Sequence, residues 1–355
     1  MPNKPGLETP RQAQTELPRA TASEPQSISA IAPTVSPERN RSSSIISLAA
    51  LPVAVGIAFA IHLFLTQKEL PNDARSYSWF LGMLFGLGIL AAAGQLLFRR
   101  VRPWLAEMCP KIAGAVGLLA VLQIITTGLR LLPMPYFPGP AAILQSLVND
   151  RVQLFDSAWH SLVLLLGGYA LGVVAALFTG ICIGWYSWAR YWGMPLLKII
   201  GPIPATAWVP LAMVIAPSGL YAAVGLIALS VWFPVSMLTI SGIANTRASY
   251  LDVARTLGAS ERYLIFRVAI PAALPSIFIG LFMGLGTSFL TLIVAETVGV
   301  KSGLGWYVNW AQGWAEYGKV YAALVIMAAF FSTIMTVLFK VRDRVLAWQK
   351  GIIKW

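Results

Sequence analysis

Asp252-Val253-Ala254-Arg255-Thr256-Leu257-Gly258-Ala259-Ser260 runs on to Ile270-Pro271-Ala272-Ala273-Leu274-Pro275. It is a short polar helix pattern, a glycine, then a proline-punctuated start to an apolar run. Asp252 stands near the start of the helix pattern, where an acidic group suits the helix dipole. Leu251, Ala254, Leu257 and Ala259 give it a small, modestly apolar face, and Gly258 permits a sharp redirection of the backbone. Pro271 and Pro275 fix the start of the next apolar run. The bland reading is an amphipathic loop helix lying on a membrane surface. The sharper one is a docking element for a partner.

The surroundings are built for lipid. The chain has 355 residues, 57% hydrophobic and 11% charged, against about a quarter charged in a soluble domain. About 20 apolar residues cross a bilayer as a helix, and eight stretches qualify as expected spans: Ile45–Thr66, Trp79–Phe98, Ile112–Leu132, Trp159–Tyr186, Met194–Ala216, Leu220–Ile243, Ala272–Val298 and Val320–Val341. Pro202, Pro204 and Pro210 interrupt the fifth. A broken ladder is tolerated at membrane depth where protein or a water-filled cavity covers it, so this span reads as a solute path or as a packed kink. An all-α, polytopic helix bundle is the expected fold.

The net charge of +12 fits a membrane protein better than a nucleic-acid binder, because the basic residues are spread over several short loops. Lys and Arg number 17 on one side of the eight-span order and 6 on the other, which predicts both termini, and the Asp252 segment with them, in the cytoplasm. Residues 1–44 alternate Pro with Ser, Thr, Gln and Ala and are expected to be a disordered cytoplasmic tail. Residues 45–111 then hold two additional spans, and 112–350 a transmembrane core. Gly82/Gly86, Gly180/Gly184 and Gly280/Gly284 form GxxxG pairs, read as tight packing within the bundle.

Polar residues inside spans are the candidates for a path. Thr206, Ser236, Thr287, Ser288 and Thr291 lie in the proline-broken span or the central spans, although hydroxyls of this kind also bond their own helix backbone. Glu296 is the one notable ionisable group within a span. It reads as a gate or a contact to an outer partner, or as an interfacial acid paired with a cation such as Lys301. The aromatic stretch Trp306, Tyr307, Trp310, Trp314 and Tyr317 reads as an interfacial belt or as a short helix at the outer mouth. His62 and His160 lack partners at ligand spacing, so no metal site is expected. Cys109 and Cys182 give no disulfide framework, and no catalytic cluster is visible.

With these residues in view, the opening stretch resembles the EAA motif of binding-protein-dependent ABC importer permeases: an acid and two small residues, three residues, glycine, nine residues, an apolar residue, one residue, then an apolar residue and proline. Here these positions are Asp252-Val253-Ala254, Gly258, Val268 and Ile270-Pro271. Asp and Val stand where the motif has Glu and Ala. Further resemblance lies in Phe137-Pro138-Gly139-Pro140, Ser161, Gly167-Gly168-Tyr169, Ile203-Pro204-Ala205-Thr206-Ala207-Trp208-Val209-Pro210-Leu211, Ala295-Glu296 and Gly303-Leu304-Gly305. These are similar to the nitrate, taurine, alkanesulfonate and bicarbonate branch. Ala216-Pro217-Ser218-Gly219 departs from that branch, which usually has Phe-Gly there.

The resemblance implies a type I importer permease core of six spans, with two extra spans before it. It implies that residues 249–262 form the coupling helix, with Asp252, Val253, Ala254, Leu257, Gly258 and Ala259 docking on a cytoplasmic ABC ATPase dimer. It further implies a second permease copy, an extracytoplasmic solute-binding protein, and a small anion as cargo in a bacterial inner membrane. No G-x-x-x-x-G-K-[ST] phosphate cradle occurs in the sequence, so ATP and Mg are expected on the ATPase, with no cofactor in this chain. The rival expectation is a self-sufficient secondary transporter or channel.

Overall fold

A computed structural model describes residues 41–65, 71–97, 102–133 and 135–349. The expected tail lies, over 1–40, outside the described residues, as do Arg39, Lys68, Arg99, Arg100, Lys350 and Lys354 of the charge pattern. The elements in chain order are α1 (Arg41–Leu65), α2 (Pro71–Leu97), α3 (Arg102–Gln123), α4 (Pro140–Asn149), α5 (Arg151–Trp185), α6 (Ser187–Ile200), α7 (Val209–Ile215), α8 (Gly219–Ala244), α9 (Ala248–Thr256), α10 (Glu261–Tyr263), α11 (Ile270–Gly299), α12 (Leu304–Gly313) and α13 (Tyr317–Val345). A π-helical turn, Ile124–Gly128, ends α3, and another, Leu264–Ala269, leads into α11.

Among the described residues, six stretches are long and apolar enough to cross a membrane: Arg75–Gly94, Trp104–Gly128, Arg151–Trp185, Gly219–Ala244, Glu261–Gly299 and Tyr317–Val345. The chain is a multi-span, all-α membrane bundle. Six of the eight expected spans correspond to these. The first expected span is α1, whose apolar stretch Ala49–Leu65 is shorter than the six. The fifth, Met194–Ala216, is not one helix. It is α6, a 3₁₀ turn at Ala205–Trp208 and α7, bent by 83° at the break. The cause is local: Pro202 and Pro204 offer no N–H to the ladder, and Gly201 lies against the Phe233 ring, where a Cβ would overlap it.

The third span also differs from its expectation. It begins at Arg102 rather than Ile112, so the division drawn between 111 and 112 falls inside α3. Lys111 is not a loop residue. It sits on the helix and pairs with Glu107 one turn earlier at 2.7 Å, an i,i+4 arrangement that lets both charges stay on the exposed face.

The centre of the bundle is α8, packed between α5 and α11. Lipid gives helices no hydrophobic reason to associate, so close backbone approach and dispersion hold the seams. A Cβ on Gly172 of α5 would stand 2.6 Å from the Ala228 carbonyl oxygen, and one on Gly280 of α11 would stand 3.1 Å from Val235 Cα. Gly180/Gly184 and Gly280/Gly284 therefore lie in seams with α8. Gly82/Gly86 do not, since a Cβ at either would meet nothing within 4 Å.

Polar bonds also run between these helices. Tyr169 Oη donates to the Leu281 carbonyl at 2.9 Å, and Trp232 Nε1 donates to Thr179 Oγ1 at 3.0 Å. In the N-terminal helices, the Gln123 amide lies 2.8 Å from His62 Nδ1, and His62 Nε2 lies 2.9 Å from Ser78 Oγ. The His62 ring thus links α1, α2 and α3 in a core of Leu51, Val55, Tyr77, Leu81 and Val116.

Candidate functional site

The motif segment builds a groove at one end of α11. α9 carries Asp252, Val253 and Ala254, and its last turn is closed by the Ala259 N–H, which donates to the Ala254 carbonyl at 3.0 Å. Gly258 has φ +83°, the left-handed conformation that ends helices and costs a side-chain-bearing residue about 1–2 kcal/mol. The chain then enters α10 and the second π-helical turn. Leu264 and Ile265 are buried there and anchor the segment to the bundle.

Above that anchor lies a groove of about 710 Å³, with Tyr250, Val253, Ala254, Leu257, Tyr263 and Arg267 in its wall. Leu257 is 83% exposed and Val253 60%, so the apolar face is uncovered among the described residues. Asp252 pairs with Arg255 at 3.4 Å on the exposed face. The structure thus brings Val253, Ala254, Leu257, Gly258 and Ala259 together at one groove, with Asp252 on the same short helix.

The path candidates divide. Thr206, Thr287 and Thr291 line one cavity of about 330 Å³ beside the bend, walled otherwise by residues that include Trp232, Phe233, Met283 and Leu290. Thr287 Oγ1 donates to the Ser230 carbonyl at 2.9 Å, and Thr291 Oγ1 to the Thr287 carbonyl at 3.0 Å. The Thr206 hydroxyl makes no hydrogen bond among the described residues. Ser236 and Ser288 stand elsewhere. Ser236 is buried in the α5–α8 seam, sharing a bond with Thr179 at 3.0 Å, and Ser288 donates to the Leu285 carbonyl at 2.8 Å.

Glu296 lies away from this cavity and is 1% exposed. Its carboxylate accepts from Ser161 Oγ at 2.6 Å and from the Gly305 N–H at 2.7 Å. Of the two readings open at the sequence level, a pairing with Lys301 is not what this geometry shows. Sequence reading did not find the Ser161 and Gly305 partnership, although Ser161 and Gly303-Leu304-Gly305 were both conspicuous. It also missed the link from α12 to the α4–α5 corner. Tyr307 Oη donates to Asp150 Oδ2 at 2.6 Å, and Lys319 Nζ approaches the same oxygen at 3.3 Å. Burial, with the Asp150 carboxylate beside it, pushes the Tyr307 hydroxyl well above the ordinary tyrosine range.

Comparison with known proteins extends this picture. The sequence profile of the family described as "Binding-protein-dependent transport system inner membrane component" matches residues 168–347. A putative ABC transporter permease protein of Methanocaldococcus jannaschii is 31% identical over 34% of this chain and 45% of its own length. The bicarbonate transport system permease protein of a Synechocystis strain is 28% identical over 52% of this chain and 69% of its own. The taurine transport system permease protein of Escherichia coli is likewise 28% identical, over 51% and 69%. The similarity spans 45% to 65% of the length of the archaeal relative and of a probable ABC transporter permease of Haemophilus influenzae.

Proposed function

The chain belongs to the binding-protein-dependent transport system inner membrane component family, whose profile covers half of it, and from that premise we propose that it is the permease subunit of an ATP-driven importer. A separate cytoplasmic ATPase dimer docks in the groove of α9, with Asp252, Val253, Ala254, Leu257, Gly258 and Ala259 forming the coupling surface. ATP and Mg belong to that partner. A second permease copy completes the path, an extracytoplasmic binding protein delivers the solute, and both termini of this chain face the cytoplasm. The first two helices are an addition to the six-span core.

The observation that carries this reading is the apolar face at Val253 and Leu257, held out from a segment rooted by buried Leu264 and Ile265. Burying one such side chain in a partner is worth roughly 1.5–3 kcal/mol, and a face anchored at its base can pass a push to α11. The cargo we propose is a small anion. This rests on relatives named for bicarbonate and taurine and on a cavity with hydroxyl groups in its wall. Thr206, whose hydroxyl is uncommitted among the described residues, is the donor proposed to contact it, with Thr287 and Thr291, whose protons go to carbonyls, lining the cavity beside it.

Co-expression with the cognate ATPase tests the reading. The two should purify together, and Gly258→Asp or deletion of Ser249–Arg262 should abolish the association. Transport by the isolated chain in liposomes, driven by an ion gradient alone, overturns the proposal in favour of a self-sufficient transporter.

A further inference from the structure

The permease reading leaves the buried carboxylate of Glu296 without a task, because it faces neither the cavity nor the groove. Its surroundings are built around it from three helices. Ser161 of α5 donates to Oε1 at 2.6 Å, the Gly305 N–H in the first turn of α12 donates to Oε2 at 2.7 Å, and the Leu304 N–H donates to Ser161 Oγ at 2.8 Å. The first N–H groups of a helix have no partner within it, and here the carboxyl oxygen and the Ser161 hydroxyl supply acceptors for two of them.

Two glycines make the room. Gly303 has φ +101°, and a Cβ there would overlap the carboxylate; a Cβ on Gly305 would stand 2.6 Å from the Ile293 carbonyl oxygen. The Gly299–Gly303 connection between α11 and α12 has a glycine at each end. The Glu296 carboxylate bridges it, holding the first turn of α12 against the last turns of α11. Along its length α12 is also held by the Tyr307–Asp150 bond, and by Lys319 Nζ lying 5.1 Å from the centre of the Trp310 ring.

At its other end, α11 grows out of the π-helical turn on which α9 packs. It runs for 30 residues from Ile270 to Gly299, a length of roughly 45 Å at the helical rise. One helix thus has the docking groove at its start and the Glu296 joint at its finish.

We propose that Glu296 and Ser161 form a rigid joint through which α12 moves as one body with α11 and α5, carrying a displacement of α9 to the opposite face of the membrane. The idea rests on the permease reading for its source of motion. Glu296 is then a positioning residue and touches no solute.

The full chain in lipid nanodiscs provides the test, in a background with Cys109 and Cys182 replaced by alanine. Spin labels at Ile279→Cys on α11 and Gln312→Cys on α12 report the angle across the joint. With labelled chains diluted in unlabelled ones, so that only the distance within one chain is read, the parent should give one narrow distance, unchanged when the ATPase and nucleotide are added. Ser161→Ala should broaden it and speed exchange of the Leu304 and Gly305 amides by at least about tenfold, with the amides of mid-α11 unaffected. Glu296→Gln, which keeps one acceptor oxygen and the side-chain shape, should give a smaller effect in the same direction.

Two results overturn the proposal: a parent distance that shifts with nucleotide, or a Ser161→Ala chain whose distance width and amide exchange match the parent. If the permease reading itself is wrong, the ATPase will not bind at all, while the rigidity measured on the chain alone still stands or falls by itself.

Discussion

The Tyr307 hydroxyl donates to the Asp150 carboxylate over 2.6 Å, joining two residues 157 positions apart. The bond ties α12 to the corner between α4 and α5, with Lys319 at 3.3 Å from the same oxygen. Because the folded state holds the Tyr307 proton more tightly than the unfolded chain does, its contribution is fully present below the ordinary tyrosine value of about 10. It is lost as pH rises further towards the folded value. Thermal unfolding in detergent should therefore show a loss of stability above about pH 10. Tyr307→Phe should lower stability at neutral pH by about 1–2 kcal/mol and remove part of the alkaline loss. An unchanged alkaline profile in Tyr307→Phe assigns that loss to other groups.

Glycines that look alike in the sequence should respond differently. Gly172→Ala places a methyl group 2.6 Å from the Ala228 carbonyl oxygen, so α5 and α8 must part. The cost should be about 1–3 kcal/mol, seen as a lower midpoint of thermal unfolding. Gly82→Ala has open space around it and should be neutral or gain up to about 1 kcal/mol from helix propensity. Equal losses in the two variants would remove the distinction between seam and surface.

At the groove, affinity and stability should separate. Leu257 is 83% exposed, so Leu257→Ser should leave the unfolding midpoint unchanged. If the ATPase covers this residue, the same variant should weaken its binding by roughly 10–100-fold, the equivalent of about 1.5–3 kcal/mol. Gly258→Ala acts through the backbone instead: φ +83° costs alanine about 1–2 kcal/mol, and the α9–α10 turn should lose amide protection. Binding measured with immobilised ATPase, beside hydrogen exchange over 248–269, checks both.

How much of this was legible in the sequence depends on range. The long apolar runs announced the helices, because burial in lipid demands about 20 consecutive apolar residues whatever their neighbours are. Pro202 and Pro204 announced the break at the bend, because a missing N–H acts within one helical turn. The segment from Asp252 to Pro271 was marked by its resemblance to a family motif, since its residues alone fit an amphipathic surface helix equally well. Glu296 was visible as a costly group, yet its partner Ser161 lies 135 positions away, and no local pattern says which helix will face which. The GxxxG pairs fail similarly: spacing shows that backbones can approach, while Gly180 and Gly82 differ only in whether a neighbour arrives. α3 starts ten residues before the expected span, and Lys111, which charge counting placed in a loop, pairs with Glu107 on its exposed face.

The cavity beside the bend gives the last prediction, and it too turns on which hydroxyls are already committed. Thr287 spends its proton on the Ser230 carbonyl at 2.9 Å, a bond between α11 and α8. Thr287→Val should therefore cost about 0.6 kcal/mol of stability, the average for such bonds between membrane helices. The Thr206 hydroxyl has no such bond among the described residues, so Thr206→Val should leave the unfolding midpoint where it was. If solute passes this cavity, Thr206→Val should lower uptake by the reconstituted transporter several-fold, roughly the worth of one hydrogen bond of about 1 kcal/mol. Thr206→Ser, which keeps the hydroxyl, should restore it. Uptake of labelled taurine, bicarbonate and nitrate, each tried separately, provides the readout. Normal uptake by Thr206→Val for the solute carried would show that the path does not use this hydroxyl.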